Sequence, residues 1–142
     1  MKAFLDTSVL VAVFYGDHIH HAPSLELFAE LEKDEGCCAA HSLFEVYSVM
    51  TRMPGKNRVT SDQAMLFMEN IRERLSLVAL TAEEYGDTLK AFAELGIAGG
   101  AIYDALIAGC ALKVRAERLF TWNVIHFARL GPKVGPLLQT PG

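Results

Sequence analysis

The sequence predicts an α/β fold, a three-layer domain whose central, mostly parallel sheet of about four to five strands is flanked by helices. Short apolar runs alternate with longer segments whose apolar residues recur at helical spacing, which is typical of strand–helix units. The hydrophobic fraction of 51% and the mean hydropathy of +0.23 suit a sheet covered on both faces. With 142 residues, we expect one domain over positions 1–142.

The first predicted element is a strand that passes directly into a helix. Residues 3–5 are apolar, Asp6, Thr7 and Ser8 interrupt the run, and residues 9–14 are apolar again. This pattern predicts a buried strand, a turn and a helix, with the polar residues at the helix start. Asp6 is then either an ordinary helix N-cap or a carboxylate at the edge of the sheet where α/β proteins handle ligands.

A loop containing His18, His20 and His21 separates this helix from a second one, which we expect to start near Pro23. The pattern H-x-H-H is compatible with a metal site, but a solvated loop is the more typical interpretation. Residues 37–40, Cys-Cys-Ala-Ala, then predict the second strand.

The helix expected over residues 41–50 holds a single acid, Glu45, close to its first turn. Glu45 either complements the helix dipole or is a buried carboxylate that needs a cation or hydrogen-bond donors nearby. The other residues leave little polar face, so we expect most of this helix to be buried.

Two capping boxes, Thr60-x-x-Gln63 and Thr81-x-x-Glu84, predict the starts of the next two helices. A third strand is expected between these helices, over residues 77–80, and the second of them ends at Gly96.

Asp104 is the only charged residue between Gly96 and Lys113. A helix that is apolar all round is normally buried, so Asp104 is expected to enter the interior or to line a cavity. If the helix starts late, Asp104 caps it instead. Two more strands are expected, over residues 119–121 and 134–138.

The bulk properties exclude several classes of protein. The net charge of −4 and the pI near 5.7 argue against a non-specific nucleic-acid binder, which is usually basic. We expect a cytoplasmic protein, because no segment reads as a membrane span and the first residues do not resemble a signal peptide. The odd cysteine count, three, without a CxxC spacing predicts reduced core residues.

Four polar residues are expected to meet at one edge of the sheet. Asp6, Glu45 and Asn123 each follow a predicted strand, and Asp104 lies in the helix before the fourth strand. Three carboxylates in one pocket repel each other, and a hard divalent cation resolves the conflict, with Mg²⁺ or Mn²⁺ the natural choice. Such a site suits phosphodiester hydrolysis.

Other acidic α/β phosphotransfer sites lack support. A haloacid-dehalogenase-type phosphatase needs a second Asp where Ser8 stands, and the acidic pair and late Lys of a response-regulator receiver are not visible. No GxxxxGK[ST] or GxGxxG motif occurs.

Four motifs span nearly the whole chain: FLDTSVLVA, HSLFEVYSV, AIYDALIAGCAL and TWNVIHF. In their order and spacing the chain resembles PIN-domain proteins, specifically the VapC-type toxin ribonucleases of bacterial and archaeal toxin–antitoxin pairs. This resemblance implies a metal-dependent endoribonuclease in which a Mg²⁺- or Mn²⁺-activated water leaves a 3′-hydroxyl and a 5′-phosphate. Asp6 and Asp104 would be metal ligands, and Glu45 would bind directly or through water.

The resemblance also implies roles for neutral residues. Thr7 or Ser8 would orient a ligand, and Asn123 would hydrogen-bond water or a carboxylate. Many relatives have a fourth acid at Asn123 or His126, and this chain has none there. His126 is then a donor to phosphate or a structural histidine.

By resemblance, the partners are RNA, a small antitoxin whose tail covers the acidic pocket, and a second copy of the chain. The homodimer would use the amphipathic helices over residues 64–75 and 81–95. The alternative is a PIN domain with a decayed metal site that only binds a protein or RNA. Six cations are either phosphate contacts or scattered surface charges: Arg52, Lys56, Arg58, Lys113, Arg115 and Arg118.

Overall fold

The computed structural model describes residues 2–142 and contains one five-stranded sheet. All strand pairs are parallel, and the strand order is β3-β2-β1-β4-β5. The strands are β1 (Ala3–Leu5), β2 (Gly36–Ala39), β3 (Ser76–Val78), β4 (Arg118–Phe120) and β5 (Leu138–Gln139). The predicted parallel α/β sheet is therefore confirmed.

Helices cover both faces of this sheet. They are α1 (Thr7–Phe14), α2 (His21–Glu30), α3 (His41–Thr51), α4 (Ser61–Arg74), α5 (Ala82–Glu94), α6 (Ala101–Lys113) and α7 (Val124–Ala128), with short 3₁₀ turns at Gly55–Asn57 and Gly135–Leu137. Successive strand residues point to opposite faces, so Phe4 packs with α5, α6 and α7 while Leu5 packs with the helices α1 to α4. These two clusters of buried apolar residues form the core of a three-layer domain.

The predicted capping boxes are present at α4 and α5. At α5, the Glu84 backbone N–H donates to Thr81 Oγ1 at 3.1 Å, and the Thr81 N–H donates to Glu84 Oε1 at 2.8 Å. Side-chain caps of this kind contribute about 1 kcal/mol each to helix stability. After α5, Gly96 has a φ of +79°, a left-handed conformation that glycine adopts without strain.

The structure corrects three expectations. The fifth strand is Leu138–Gln139 rather than residues 134–138, because Gly135–Leu137 form a 3₁₀ turn with proline in its first turn. Helix α2 begins at His21, so Pro23 lies in its first turn, where a missing N–H is tolerated. Helix α3 is not largely buried, since the Phe44 side chain is 80% exposed.

The carboxyl ends of β1, β2 and β4 lie side by side, and this edge positions the site. The chain adds β2 and β3 on one side of β1 and then adds β4 and β5 on its other side, so the strand order reverses at β1. Crevices at such switch points are where open α/β sheets bind ligands. The Asp6 N–H donates to Phe120 O at 2.9 Å, which extends the pairing of β1 with β4 to the first residue of the site.

Candidate active site

Asp6 lies at the end of β1, is only 2% exposed, and caps α1. Its Oδ2 accepts hydrogen bonds from Ser8 Oγ at 2.7 Å, from Thr121 Oγ1 at 2.8 Å and from the Ser8 N–H at 3.4 Å. The N-cap interpretation is therefore correct. Capping occupies only one of the two carboxylate oxygens, because all of these hydrogen bonds reach Oδ2.

The pKa of Asp6 is raised to about 6, mainly by burial and in smaller part by the negative charge of Asp104, against the lowering effect of the donors Ser8 and Thr121. Removing water from a carboxylate penalises its charged form, and hydrogen bonds recover only part of that loss. Asp6 therefore lies in a place that favours either a proton or a nearby cation.

Glu45 occupies the second turn of α3, beyond the reach of a simple first-turn dipole role. Its Oε1 accepts a hydrogen bond from Thr7 Oγ1 at 2.7 Å, and His41 Nε2 lies 3.8 Å away. Thr7 Oγ1 is also 2.9 Å from Ser42 Oγ, which is fully buried. The expected donor for this carboxylate is thus present, and its hydroxyl comes from the first turn of α1.

The sequence left Thr7 and Ser8 as alternatives for the hydroxyl that orients a metal ligand, and in the structure each one bonds to a different acid. Thr7 donates to Glu45, whereas Ser8 donates to Asp6. Because Thr7 and Ser8 are adjacent at the start of α1, one helical turn orients two carboxylates that are far apart in the chain.

Asp104 lies in the first turn of α6 and is half-buried. The N-cap position belongs to Gly100, so the capping interpretation of Asp104 is wrong. Burial raises the pKa of Asp104, and the charge of Glu45 raises it further, while His126 lowers it. Together with the effect of Asp104 on Asp6, these influences couple the three acids electrostatically.

The three acids line one open cavity of about 470 Å³. Its other polar and aromatic lining residues are Thr7, Ser8, His18, His20, Trp122 and Asn123. Within residues 2–142, one set of three or more Asp, Glu, His or Cys residues has ligand atoms that all lie within 4.8 Å of one another. That set lies outside the cavity and consists of Glu32, Asp34 and Glu35. The cavity acids are therefore spaced more widely than that. An ion shared by all three acids would therefore reach at least one of them through a water, which Mg²⁺ tolerates because it usually keeps several waters.

Asn123 and His126 lie on different sides of Asp104. Asn123 lines the acidic cavity, and its N–H donates to Thr121 Oγ1 at 3.0 Å. His126 instead lines a second cavity of about 540 Å³, together with Asp104 and Arg129. Asn123 and His126, the two positions where the family resemblance leads us to expect a fourth acid, are thus not equivalent in this chain.

Sequence reasoning missed Thr121, which is fully buried and donates to Asp6, and the aromatic lining of the cavity. The motif TWNVIHF contains Thr121 and Trp122, but only the pairing of β4 with β1 brings them to Asp6. The histidine loop is not simply solvated, since His18 and His20 line the cavity.

None of the six candidate cations lines the acidic cavity. Lys113 closes the far end of α6, where its Nζ lies 2.7 Å from Glu84 Oε1, and Arg118 begins β4 at the opposite edge of the sheet. Arg58 Nε donates to Met53 O at 3.0 Å. These residues are scattered surface cations rather than a group beside the acids.

Comparison with known proteins places the chain in a family. The sequence pattern described as "PIN domain" matches residues 3–131. Ribonuclease VapC27 of Mycobacterium tuberculosis (strain ATCC 25618 / H37Rv) is 37% identical over 114 residues, which cover 80% of this chain and 79% of that protein.

Two solved structures share the fold. The structure of Mycobacterium tuberculosis VapC20, described as a Sarcin-Ricin loop cleaving toxin, matches with a TM-score of 0.69 at 16% identity, over 89% of this chain and 94% of that one. The structure of VapBC2 from Rickettsia felis bound to a DNA fragment from their promoter matches with a TM-score of 0.66 at 22% identity, over 99% and 98%. With three acids at the carboxyl edge of a parallel sheet and these matches, the chain belongs to the PIN-domain family and is related to the VapC ribonucleases.

Proposed function

We propose that the chain is a metal-dependent endoribonuclease, a single PIN domain over residues 1–142 that acts as the toxin of a type II toxin–antitoxin pair. The supporting observation is the convergence of Asp6, Glu45 and Asp104 on one cavity in a chain related to VapC ribonucleases. Phosphodiester hydrolysis needs a nucleophilic water and neutralisation of charge on the phosphoryl oxygens, and Mg²⁺ or Mn²⁺ supplies both when bound.

The donor set fits such an ion. Hydroxyl groups hold Oδ2 of Asp6 and Oε1 of Glu45, so in the described chain the second oxygen of each carboxylate is left to a cation or its water. Asp6 and Asp104 would hold Mg²⁺ or Mn²⁺, and Glu45 would bind it directly or through water. Oxygen-only ligands of this kind favour Mg²⁺ and Mn²⁺ over softer metals.

The remaining residues orient this set. Ser8 and Thr121 fix the Asp6 carboxylate, and Thr7 fixes that of Glu45. Asn123, with its side chain exposed at the cavity, would hydrogen-bond a water or a carboxylate. Such outer partners preserve ligand direction, and their removal typically weakens metal binding or activity by roughly 10–100-fold.

RNA cleavage in Mn²⁺ and in EDTA tests this proposal, with wild type compared to Asp6→Ala, Asp104→Ala and the control Glu35→Gln. We expect metal-dependent cleavage that both alanine variants abolish and the control retains. Cleavage in EDTA, or cleavage that ignores both alanine substitutions, contradicts the proposal.

A second candidate is a PIN domain that has lost catalysis and only binds a protein or RNA. The observation in its favour is the absence of an acid at Asn123 and His126. RNA binding by the wild type without any cleavage in Mg²⁺ or Mn²⁺ would establish this alternative.

We also propose a small antitoxin as partner, supported by the fold shared with VapBC2, and a cytoplasmic location, where RNA is available. Along residues 2–142, no helix has the length and apolar character needed to span a bilayer. An Arg or Lys of the antitoxin would neutralise the acidic cavity. If exchanging that residue leaves inhibition intact, this role is wrong.

A homodimer is proposed through the exposed apolar residues of α4 or α5. Leu66 on α4 is 64% exposed and Leu89 on α5 is 57% exposed, although both side chains are large and apolar. Analytical ultracentrifugation of Leu66→Glu and Leu89→Glu separates the two faces. We expect one variant to be monomeric, and two fully dimeric variants would contradict both interfaces.

A further inference from the structure

The acidic cavity has an aromatic side that the proposed metal chemistry does not use. The rings of His20 and Trp122 are stacked, with centroids 3.7 Å apart and planes 6° from parallel. His18 lies beside them, its ring centroid 5.7 Å from that of His20 and its plane tilted by 42°. All three residues line the cavity that contains Asp6, Glu45 and Asp104, and all three are half-exposed.

Hydrogen bonds hold this aromatic side in place. Trp122 Nε1 donates to Ser24 Oγ at 2.8 Å, and Ser24 is fully buried. The Trp122 N–H donates to Ser8 Oγ at 3.0 Å, and the same Ser8 hydroxyl donates to Asp6. The Trp122 backbone is therefore joined to a candidate metal ligand through the Ser8 side chain, while Ser24 holds the indole ring.

The histidine loop is ordered by its own side chains. His18 Nδ1 accepts from the His20 N–H at 3.0 Å, and His21 Nδ1 is 2.8 Å from Ala12 O. These two ring nitrogens are engaged by the backbone. Within residues 2–142, no histidine belongs to a set of three acid, His or Cys ligand atoms that all lie within 4.8 Å of one another. The histidines therefore serve to position rings rather than to bind an ion.

A second pair of stacked rings packs against the hydrophobic core, which shows how the His20–Trp122 pair at the cavity differs from ordinary core packing. Phe14 and Phe67 are 4.8 Å apart and nearly parallel, and both pack against the buried cluster beneath α1 to α4. His20 and Trp122 instead border an open cavity. Stacked rings beside a phosphate-cleaving centre are suited to a nucleobase, since every base has an apolar face that stacks on aromatic side chains.

Electrostatics gives a reason for such a surface. The chain has a net charge of −4, and none of the six cations considered above lines the cavity. The lining of this cavity therefore offers no lysine or arginine to neutralise RNA phosphates, which is the usual source of affinity. Stacking is the other common source, and RNA offers unstacked bases in single-stranded loops and ends.

We propose that His20 and Trp122, with His18 beside them, form a stacking platform for one unpaired nucleobase next to the scissile phosphate. The proposal rests on the ribonuclease function and adds to it the requirement for a flipped-out or single-stranded base. It makes His20 and Trp122 substrate-binding residues, while the acids remain responsible for the reaction.

The chain contains a single tryptophan, so its intrinsic fluorescence reports on Trp122 alone. Full-length Asp104→Asn, which should bind RNA without cleaving it, would be titrated in Mg²⁺ with a single-stranded RNA hexamer. An abasic ribose-phosphate hexamer of equal charge is the control ligand. We expect the RNA to quench Trp122 strongly and the abasic hexamer to leave it nearly unchanged.

Substitutions of His20 distinguish a loss of base stacking from a change in the structure of the histidine loop. In the Asp104→Asn background, His20→Ala should raise the Kd for the RNA hexamer about tenfold, as measured by fluorescence anisotropy. His20→Phe should restore most of the affinity. The His20 backbone N–H that bonds to His18 remains in both variants. Ile19→Ala is the matched control, because this neighbour is 88% exposed and does not line the cavity.

The platform is overturned if RNA does not quench Trp122, if both hexamers quench it equally, or if His20→Ala binds RNA as tightly as its parent. In those cases metal-dependent cleavage by the wild type would still support the nuclease. Conversely, base-dependent quenching in a protein that never cleaves RNA supports the platform and removes only the catalytic proposal.

Discussion

The protein contains two groups of three acids, and they differ in nearly every property except charge. Glu32, Asp34 and Glu35 lie in the turn before β2, with ligand oxygens all within 4.8 Å of one another. That closeness comes from the turn itself, in which the Glu35 N–H donates to Glu32 O at 2.9 Å. Both Glu32 and Asp34 are exposed, so water screens their repulsion.

The acids of the cavity are brought together by tertiary structure instead. Asp6, Glu45 and Asp104 come from different elements, and hydroxyl groups fix the direction of the first two. Burial raises the pKa of Asp6 and of Asp104. Short distances between carboxylates are thus a poor sign of a functional site. Burial together with dedicated hydrogen-bond donors is a better one, because carboxylates with perturbed pKa values cluster at functional sites.

Catalysis should separate the two groups most strongly. Asp6→Asn and Asp104→Asn each remove a proposed metal ligand while keeping side-chain size, and we expect RNA cleavage to fall roughly 100–1000-fold, at least as much as loss of an outer partner. The double variant Glu32→Gln/Glu35→Gln should cleave at the wild-type rate. Initial rates in Mn²⁺ measure both, and a comparable loss in the double variant would erase the distinction.

The stability of the metal-free protein should depend on pH through Asp6. Its pKa is about 6 when folded and 3.8 as the reference, so between these values the folded state binds the extra proton. The contribution of this group to stability is therefore fully present below about pH 3.8 and is lost as the pH rises through 6, by about 2 kcal/mol between pH 4 and pH 7. Asp104 shifts in the same direction.

Asp6→Asn isolates the contribution of Asp6. Denaturant unfolding in EDTA at pH 4 and pH 7 should show a smaller loss of stability for the variant, which at pH 7 should be at least as stable as the wild type. Equal pH dependence in both proteins would mean that burial does not penalise the Asp6 carboxylate.

The Thr7 hydroxyl should have a smaller effect. Thr7→Val removes the donor to Glu45 and should lower kcat roughly tenfold, whereas Thr7→Ser keeps the hydroxyl and most of the activity. Thr51→Val is a control on α3, since that hydroxyl donates to Tyr47 O at 2.8 Å outside the cavity. A wild-type kcat for Thr7→Val would show that Glu45 needs no orientation.

The exposed group should contribute least to folding. Glu32→Gln/Glu35→Gln should change the free energy of unfolding by less than about 0.5 kcal/mol, because exposed charges interact weakly through water. Thermal unfolding of the double variant in EDTA tests this expectation. A large gain in stability would reveal strong repulsion and make the two groups more alike than their burial indicates.

Local signals in the sequence predicted much of the fold. The capping boxes at Thr60 and Thr81 fix helix starts by contacts within four residues, so the chain order alone reveals them. The fifth strand was misplaced because Gly135 and Pro136 form a turn within an otherwise apolar segment.

The sequence predicted part of the candidate site, namely the three acids, the hydroxyl residues Thr7 or Ser8, and Asn123, all of which line the cavity. Strand ends meet at one edge in any parallel sheet, which brought Asp6, Glu45 and Asp104 into one hypothesis. The contacts of Thr121, His20 and Trp122 could not be inferred, because they depend on the pairing of β4 with β1 and on the fold of the histidine loop. For the six cations the sequence left two alternatives, phosphate contacts and scattered surface charges. None of them lines the cavity, and Lys113 and Arg118 lie away from the edge that carries the acids.

Calorimetric titration of the protein with Mn²⁺ tests most directly whether the buried acids or the exposed acids form the metal site. We predict that the wild type and Glu32→Gln/Glu35→Gln bind Mn²⁺ with the same affinity, and that Asp6→Asn and Asp104→Asn lose this binding. Retained binding in both asparagine variants, with loss in the double glutamine variant, would contradict the account.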